Sequence, residues 1–307
     1  MPVSFRRIVF FAVITLAVSF ISERRACGAE YEGEAGLCRD VSFLADSICA
    51  GRASGSRGAV EACCYISRRL RDNGYDPVFQ TYKAVPAGGG SDAVVCRNIL
   101  AESRRKGASK WIVVTAYYDG LGIRDGKFFP GADSNASGVA GLLAIADSLA
   151  ADRTISQKYN FLLVALDGHN CDNRGAVELM KRSLNPSNVR MVINLDIIGS
   201  SLAPVQPYHP RYLMALGAEP YRKTLDAIAA EQGLTIYYEY YRSREFTDLF
   251  FRRMGDQKLF LTGNLPTVLF TSGITMNTNR ETDTPETLDY GQFAKRIALI
   301  MSWLRKI

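Results

Sequence analysis

Acidic residues recur at the ends of successive apolar stretches in this chain. They are Asp119 after Trp111 to Tyr118, Asp133 inside Gly131-Ala-Asp-Ser-Asn-Ala-Ser-Gly138, Asp167 after Asn160 to Leu166, Asp196 within Asn194-Leu-Asp-Ile-Ile-Gly199, and Asp283 in Thr282-Asp-Thr-Pro-Glu286. Carboxylates that converge repel one another unless a cation or a proton lies between them. The chemistry this spacing points to is therefore a metal site, past or present. His169, one of only 2 histidines, follows Asp167 by two positions and is a candidate general base or additional ligand. The other histidine, His209, sits between Pro207-Tyr208 and Pro210, in a stretch read as loop and outside the site.

Such convergence needs strands whose ends share one edge. Apolar runs predict strands over Asp76 to Ala84, Ala93 to Ala101, Trp111 to Tyr118, Asn160 to Leu166, Arg190 to Ile197, Tyr212 to Leu216, Leu234 to Tyr241 and Pro266 to Thr271. Helical spacing predicts helices over Leu37 to Ala50, Ala59 to Asn73, Val139 to Ala150, Arg174 to Arg182, Tyr221 to Gln232 and Pro285 to Lys306, the last capped by Thr284 or a neighbour. Strands alternating with helices in this way imply a largely parallel sheet covered on both faces, whose strand ends gather ligands at one rim. In the octapeptide, Ala132, Ala136 and Gly138 allow close backbone packing, while Asn135 and Ser137 supply turn and N-cap chemistry. No repeat or linker divides the chain, so residues 30–307 are expected to form one domain. The glycine-rich Gly51-Arg-Ala-Ser-Gly-Ser-Arg-Gly58 has no strand before it and no Gly-Lys-Ser signature, which makes it a structural loop rather than a phosphate cradle.

Taken in order, five motifs resemble the zinc exopeptidases that include bacterial leucyl aminopeptidases, glutamate carboxypeptidase and glutaminyl cyclases. That family runs through a His-x-Asp strand end, a Gly-Ala-Asp-Asp-Asn-Ala-Ser-Gly loop, an Asp-Gly-Glu-Glu strand end, an Asn-Leu-Asp-Met-Ile-Gly strand and a final His before Asp-Thr-Pro-Glu. Here those places hold Ala116-Tyr-Tyr-Asp-Gly120, Gly131 to Gly138, Leu166-Asp-Gly-His-Asn170, Asn194 to Gly199 and Asn279-Arg-Glu-Thr-Asp-Thr-Pro-Glu286. Gly175 falls where the family has its small-residue helix start. The resemblance runs from about Gly51 to the C-terminus and implies a three-layer αβα sandwich of the phosphorylase/hydrolase-like kind around a mixed, mostly parallel sheet.

It also implies a pair of zinc ions. By position, Asp133 looks like the bridging carboxylate, Asp196 the terminal Asp ligand, and Asp119 the residue that orients the first His ligand. Tyr117 stands where that His belongs, Asn170 where the metal Glu belongs, and Asn279 where the last His belongs; moving the alignment to Asn277 leaves the chemistry unchanged. His169 replaces the general-base Glu. Two carboxylates, a phenol with a pKa of about 10 and two amides are a poor donor set for zinc. Zinc affinity is expected to be weak or absent, and no zinc-bound hydroxide is expected to form. Hard cations such as calcium or magnesium suit the oxygens of Asp133, Asp196, Asn170 and Asn279 better.

Three readings of His169 stand side by side: a general base in a rebuilt site, a ligand to one remodelled metal with Asp133 and Asp196, or an imidazolium neutralising an orphaned carboxylate. A serine mechanism through Ser134 and His169 would need an acid behind the histidine and an oxyanion hole, and the sequence has no nucleophile elbow. The functional expectation is an aminopeptidase-like protein with weak, altered or lost hydrolysis. The alternatives are a non-catalytic module binding peptides or small amino-acyl ligands, and a structural calcium or magnesium site.

Arg6 and Arg7 precede the uncharged run Ile8 to Ile21, which has the length of a signal-peptide core rather than of a membrane span. Export, with cleavage near Ala29, is the expectation; lipidation at Cys27 or retention as an N-terminal anchor are the alternatives. Removing residues 1–29 would take away Arg6, Arg7, Arg24 and Arg25 against Glu23 and lower the formal charge from +6 to +3, which gives no case for nucleic-acid binding. Cys38, Cys49, Cys63, Cys64, Cys96 and Cys171 then remain, an even number that permits disulfides within the N-terminal cluster.

Overall fold

The computed structural model describes residues 29–87, 92–152, 154–155 and 157–307. The apolar leader over residues 8–21, Cys27 and the glycines at 88–90 lie outside the described residues. Among the described residues, no helix is long and apolar enough to cross a membrane.

The expected alternation is realised as α1 (Ala29–Leu44), α2 (Arg57–Asp72), β1 (Val78–Ala84), β2 (Val94–Ser103), β3 (Lys110–Tyr117), β4 (Gly122–Arg124), β5 (Lys127–Phe129), α3 (Ser137–Ala151), β6 (Tyr159–Leu166), α4 (Arg174–Arg182), β7 (Val189–Leu195), β8 (Tyr212–Leu216), α5 (Arg222–Glu231), β9 (Thr235–Tyr237), α6 (Arg244–Thr247), α7 (Gln257–Thr262), β10 (Thr267–Thr271) and α8 (Tyr290–Lys306). Eight strands form one sheet in the order β1-β2-β6-β3-β7-β10-β8-β9. The central strands β6, β3, β7 and β10 run parallel, and β1, β2 and β8 join antiparallel. Alternation along β3 separates the faces. Ile112, Val114 and Ala116 pack into the larger core with α1, α2, α3, α5 and α8, while Val113 and Tyr117 face α4 and α7. Helices thus cover both sides of a mixed sheet, the three-layer α/β sandwich expected from the sequence.

Several boundaries differ from expectation, each for a local reason. The first helix ends at Leu44, because Asp46 caps a separate 3-10 turn, accepting from the Ile48 N–H at 2.8 Å, and Ala50, Gly51 and Arg52 take positive φ. A Cβ on Gly51 would lie 2.5 Å from the Phe129 carbonyl oxygen, so only glycine allows that approach. The strand expected to reach Tyr241 stops at Tyr237, since Tyr241 and Arg242 are left-handed at φ 48° and 58°. The closing helix begins at Tyr290 rather than Pro285. Pro285–Thr287 is a lone 3-10 turn, Leu288 is extended, and Asp289 is the cap, accepting from Gln292 N–H at 3.0 Å. The hairpin of β4 and β5, and the segment with α6, a π-type turn at Asp248–Arg253 and α7, have no counterpart in the sequence reading.

The six cysteines among the described residues are free thiols. The disulfide expected in the N-terminal cluster is not formed: Cys49 and Cys63 are packed in the larger core, whereas Cys38 and Cys64 are exposed.

Candidate active site

The C-terminal ends of β3, β6 and β7 open onto a cleft of about 130 Å³ lined by Tyr117, His169, Asp196, Tyr240, Phe250 and Asn279 among others. Hollows of about 470 and 510 Å³ lie elsewhere, one against Tyr208 and Arg211 and one between α1, α3 and α8. Neither is lined by a residue of the expected site, so chemistry rather than size singles out the smaller cleft.

Of the five strand-end carboxylates, only Asp196 lines that cleft. Asp119, fully buried, accepts from the N–H groups of His169 and Asn170 at 2.9 Å each and from the Asn170 side-chain amide at 3.0 Å. It therefore folds the loop after β6 onto the end of β3. Asp167 turns toward β2, accepting from the Ser54 hydroxyl at 2.7 Å and the Arg97 N–H at 2.9 Å. Asp283 accepts from the N–H groups of Asp133 and Ser134 at 2.7 and 3.0 Å and so anchors the octapeptide. Asp133 accepts from the Gly199 N–H at 2.9 Å through one oxygen, and its other oxygen is buried without a partner. Burial first, and then the neighbouring Asp283, push the Asp133 carboxyl up to about 6.

The octapeptide is held in place by residues the sequence marked only as small or polar. Asn135 donates to the Leu195 carbonyl at 2.9 Å and accepts from Gly138 N–H at 3.0 Å. Ser137 points back, donating to the Asp133 carbonyl at 3.0 Å. Beneath it Arg52, fully buried, donates to the carbonyls of Tyr118, Pro130 and Gly131 at 2.8 Å each, and to that of Leu44. The glycine-rich loop at 51–58 is thus a structural support for the site, as its lack of a phosphate signature implied.

Tyr117, Asn170 and Asn279 are each placed differently. The Asn170 amide is turned to Asp119, and Asn279 is exposed at the cleft rim with φ 61°. Tyr117 lines the cleft beside Asp196 and stacks on the His169 ring, with centroids 3.8 Å apart and planes at 10°. Burial, reinforced by Asp196 and Asp119, holds the Tyr117 phenol well above its ordinary value, so it stays protonated and acts as a donor. His169 Nδ1 lies 2.9 Å from an oxygen of Asp256, a residue only 1% exposed. Burial works against the imidazolium, yet Asp256, with Asp196 and Asp119 behind it, carries the His169 pKa up to about 9. Burial pushes Asp196 up to about 6, with His169 and the Tyr117 hydroxyl pulling the other way. At neutral pH His169 is therefore an imidazolium, paired with Asp256.

Asp256 is the site residue that sequence reasoning missed. It stands in Met254-Gly-Asp-Gln257, and the following Gln257 accepts from the Asn194 amide at 3.0 Å, which fixes the segment to β7. An acid beside a glycine between the apolar stretches Leu249 to Phe251 and Leu259 to Leu261 was the available signal. Among the described residues, no three His, Cys, Asp or Glu side chains gather as a metal ion requires.

No curated protein matches the chain in sequence. Among solved structures it is similar to the glutaminyl cyclase of Fimbriiglobus ruber, at 17% identity and a TM-score of 0.71 over 89% of this chain and 94% of that one. A leucine aminopeptidase precursor from Bacteroides thetaiotaomicron VPI-5482 aligns at 14% identity and a TM-score of 0.70, over 89% and 97%. The zinc aminopeptidase BSAP from Bacillus subtilis aligns at 12% and 0.69, over 88% and 94%. At these identities the likeness speaks for the fold. The family itself is fixed by sequence: residues 98–304 match the model of Peptidase family M28, and the chain belongs to that family.

Proposed function

We propose that the cleft binds the amino terminus of a peptide or a small amino-acyl ligand, and that the chain does not hydrolyse peptides through a zinc pair. The donor set does not fit the two zinc ions expected for an M28 protein. Tyr117 is a protonated donor, Asn170 is engaged with Asp119, and Asn279 is a neutral amide at the rim. The observation that carries this reading is the His169 and Asp256 ion pair: a protein-borne cation supplies the positive charge that the carboxylates of the cleft need.

The ligand class follows from the lining. Asp196 is a half-buried carboxylate suited to an ammonium group, and Tyr240, Phe250, Met254, Leu269 and Ile274 offer an apolar wall for a side chain. The names of the similar structures, a leucine aminopeptidase precursor and glutaminyl cyclases, point to ligands of the same size and kind. The reading includes export through the N-terminal leader to the periplasm or the medium, with the leader retained as an anchor as the alternative, and no role for nucleic acid.

The test uses the purified full chain. Elemental analysis is combined with chromogenic aminoacyl substrates in added zinc, and with calorimetric titration of a leucyl dipeptide carrying either a free or an acetylated amino terminus. No stoichiometric zinc, no turnover, and binding of the free form that is lost in Asp196→Asn are the expected results. Chelator-sensitive turnover with bound zinc would overturn the proposal. Calcium or magnesium raising the melting temperature would instead assign the unpartnered Asp133 oxygen to a structural cation.

A further inference from the structure

Cys96 on β2 and Cys171 in the loop after β6 are both buried and share one small cluster with Tyr82 and Ala84. The backbone around them is already held in place. The Tyr82 hydroxyl donates to the Asp167 carbonyl at 2.8 Å, and Ala87 N–H donates to the Asn170 carbonyl at 2.9 Å. On the other side Tyr82 pairs with Cys96 across the β1 and β2 ladder. A disulfide demands neighbouring side chains on a well-held backbone, and this pair packs in one buried cluster between segments fixed by those hydrogen bonds.

We propose that Cys96 and Cys171 are the site of a reversible intramolecular disulfide, formed by exchange with a small-molecule disulfide such as oxidised glutathione. Cys171 is the attacking sulfur: its neighbour Cys96, opposed by burial and aided by Ser54, holds its thiol below the ordinary value. Its thiolate displaces one thiol from the small disulfide to give a mixed disulfide. The Cys96 sulfur then attacks the Cys171 sulfur, loses its proton to solvent and releases the second small thiol. Two protein thiols are oxidised to one S–S bond and one small disulfide is reduced to two thiols. The closed ring encloses Tyr117, Asp119, Asp133 and His169, and it ties the loop bearing His169 and Asn170 to β2. Because both thiols are buried, the exchange requires transient opening of that loop and is slow.

The experiment incubates the native full chain for hours with reduced or oxidised glutathione, blocks remaining thiols in denaturant, and maps cross-linked peptides by mass spectrometry. The expected result is a peptide containing Cys96 joined to one containing Cys171, with a melting temperature roughly 5–10 °C above the reduced form. Cys96→Ser and Cys171→Ser should each abolish that redox-dependent shift, and the shift is compared within each variant so that a cost to folding does not obscure it. Separate alkylation of Cys96 and Cys171 after the oxidising incubation would overturn the proposal, as would a cross-link confined to Cys63 and Cys64.

Discussion

The His169 ring lies flat against the ring of Tyr117, 3.8 Å between centroids, while its Nδ1 is held 2.9 Å from Asp256. Tyr117 also lines the cleft with Asp196, so one aromatic residue covers a face of the imidazolium beside a second acid. Ring stacking and the ion pair tie the end of β3 and the loop after β6 to the segment before α7.

The ion pair gives the first prediction. Because His169 is carried up to about 9 from an ordinary 6.5, the folded state holds a proton that the unfolded chain releases earlier. That contribution to stability is fully present below pH 6.5 and is lost as the pH rises through 9, by at most about 3 kcal/mol. With only 2 histidines in the sequence, ring NMR of the labelled protein and of His209→Gln assigns the titration directly. In Asp256→Asn the His169 midpoint should fall by more than one pH unit, and urea unfolding at pH 7 should lose about 3 kcal/mol, as when one partner of a buried pair is removed. An unchanged midpoint would mean that Asp256 does not hold the proton.

Asn170 offers a test of how its amide holds the loop after β6. Its amide donates to Asp119 at 3.0 Å, and an aspartate of nearly the same shape would bring a second carboxylate to that distance. Asn170→Asp should cost about 2–4 kcal/mol at pH 8, and the loss should shrink as the pH is lowered and one of the two acids takes a proton. Urea midpoints of both proteins between pH 5 and 8 give the comparison. A pH-independent cost would assign the loss to packing instead.

Arg52 supports the octapeptide from below, with its guanidinium fully buried among backbone carbonyls. Replacing it by Met leaves those acceptors unpaired in the core. Arg52→Met should destabilise by about 3 kcal/mol or more and raise amide exchange at Asp133 and Ser134 above the rest of the sheet edge. Uniform exchange across the chain would show global destabilisation with no particular hold on the octapeptide.

The parallel order and the octapeptide were legible because both are local: apolar period, small residues and a turn all lie within a few positions of each other. Where a strand-end side chain points was not. Asp167 and Asp196 occupy like places after β6 and β7, yet Asp167 turns to Ser54 and Arg97 while Asp196 faces the cleft. Residue order predicts that an acid reaches the rim; which neighbours satisfy it depends on segments far away in sequence. The same distance hid Asp256, whose partner His169 lies 87 positions earlier and belongs to no shared motif. Tyr241 illustrates the converse, since its left-handed φ ends a stretch whose tyrosines read as strand throughout.

At alkaline pH two core thiols control stability. Burial is the main cause that pushes Cys49 and Cys63 from 9.0 up to about 11, with Arg52 opposing it at Cys49. Between those values the unfolded chain loses both protons while the folded protein keeps them, so each thiol lowers stability as the pH rises, by up to about 3 kcal/mol. Below pH 9 both thiol protons are bound in either state and the two thiols add no slope. Urea midpoints measured from pH 8 to 11 should therefore fall, and in Cys63→Ala the fall should be shallower even though the truncation lowers stability at every pH. An equal slope in the variant would mean that the Cys63 thiol ionises in the folded core as readily as in the unfolded chain, and burial would then be exerting no hold on its proton.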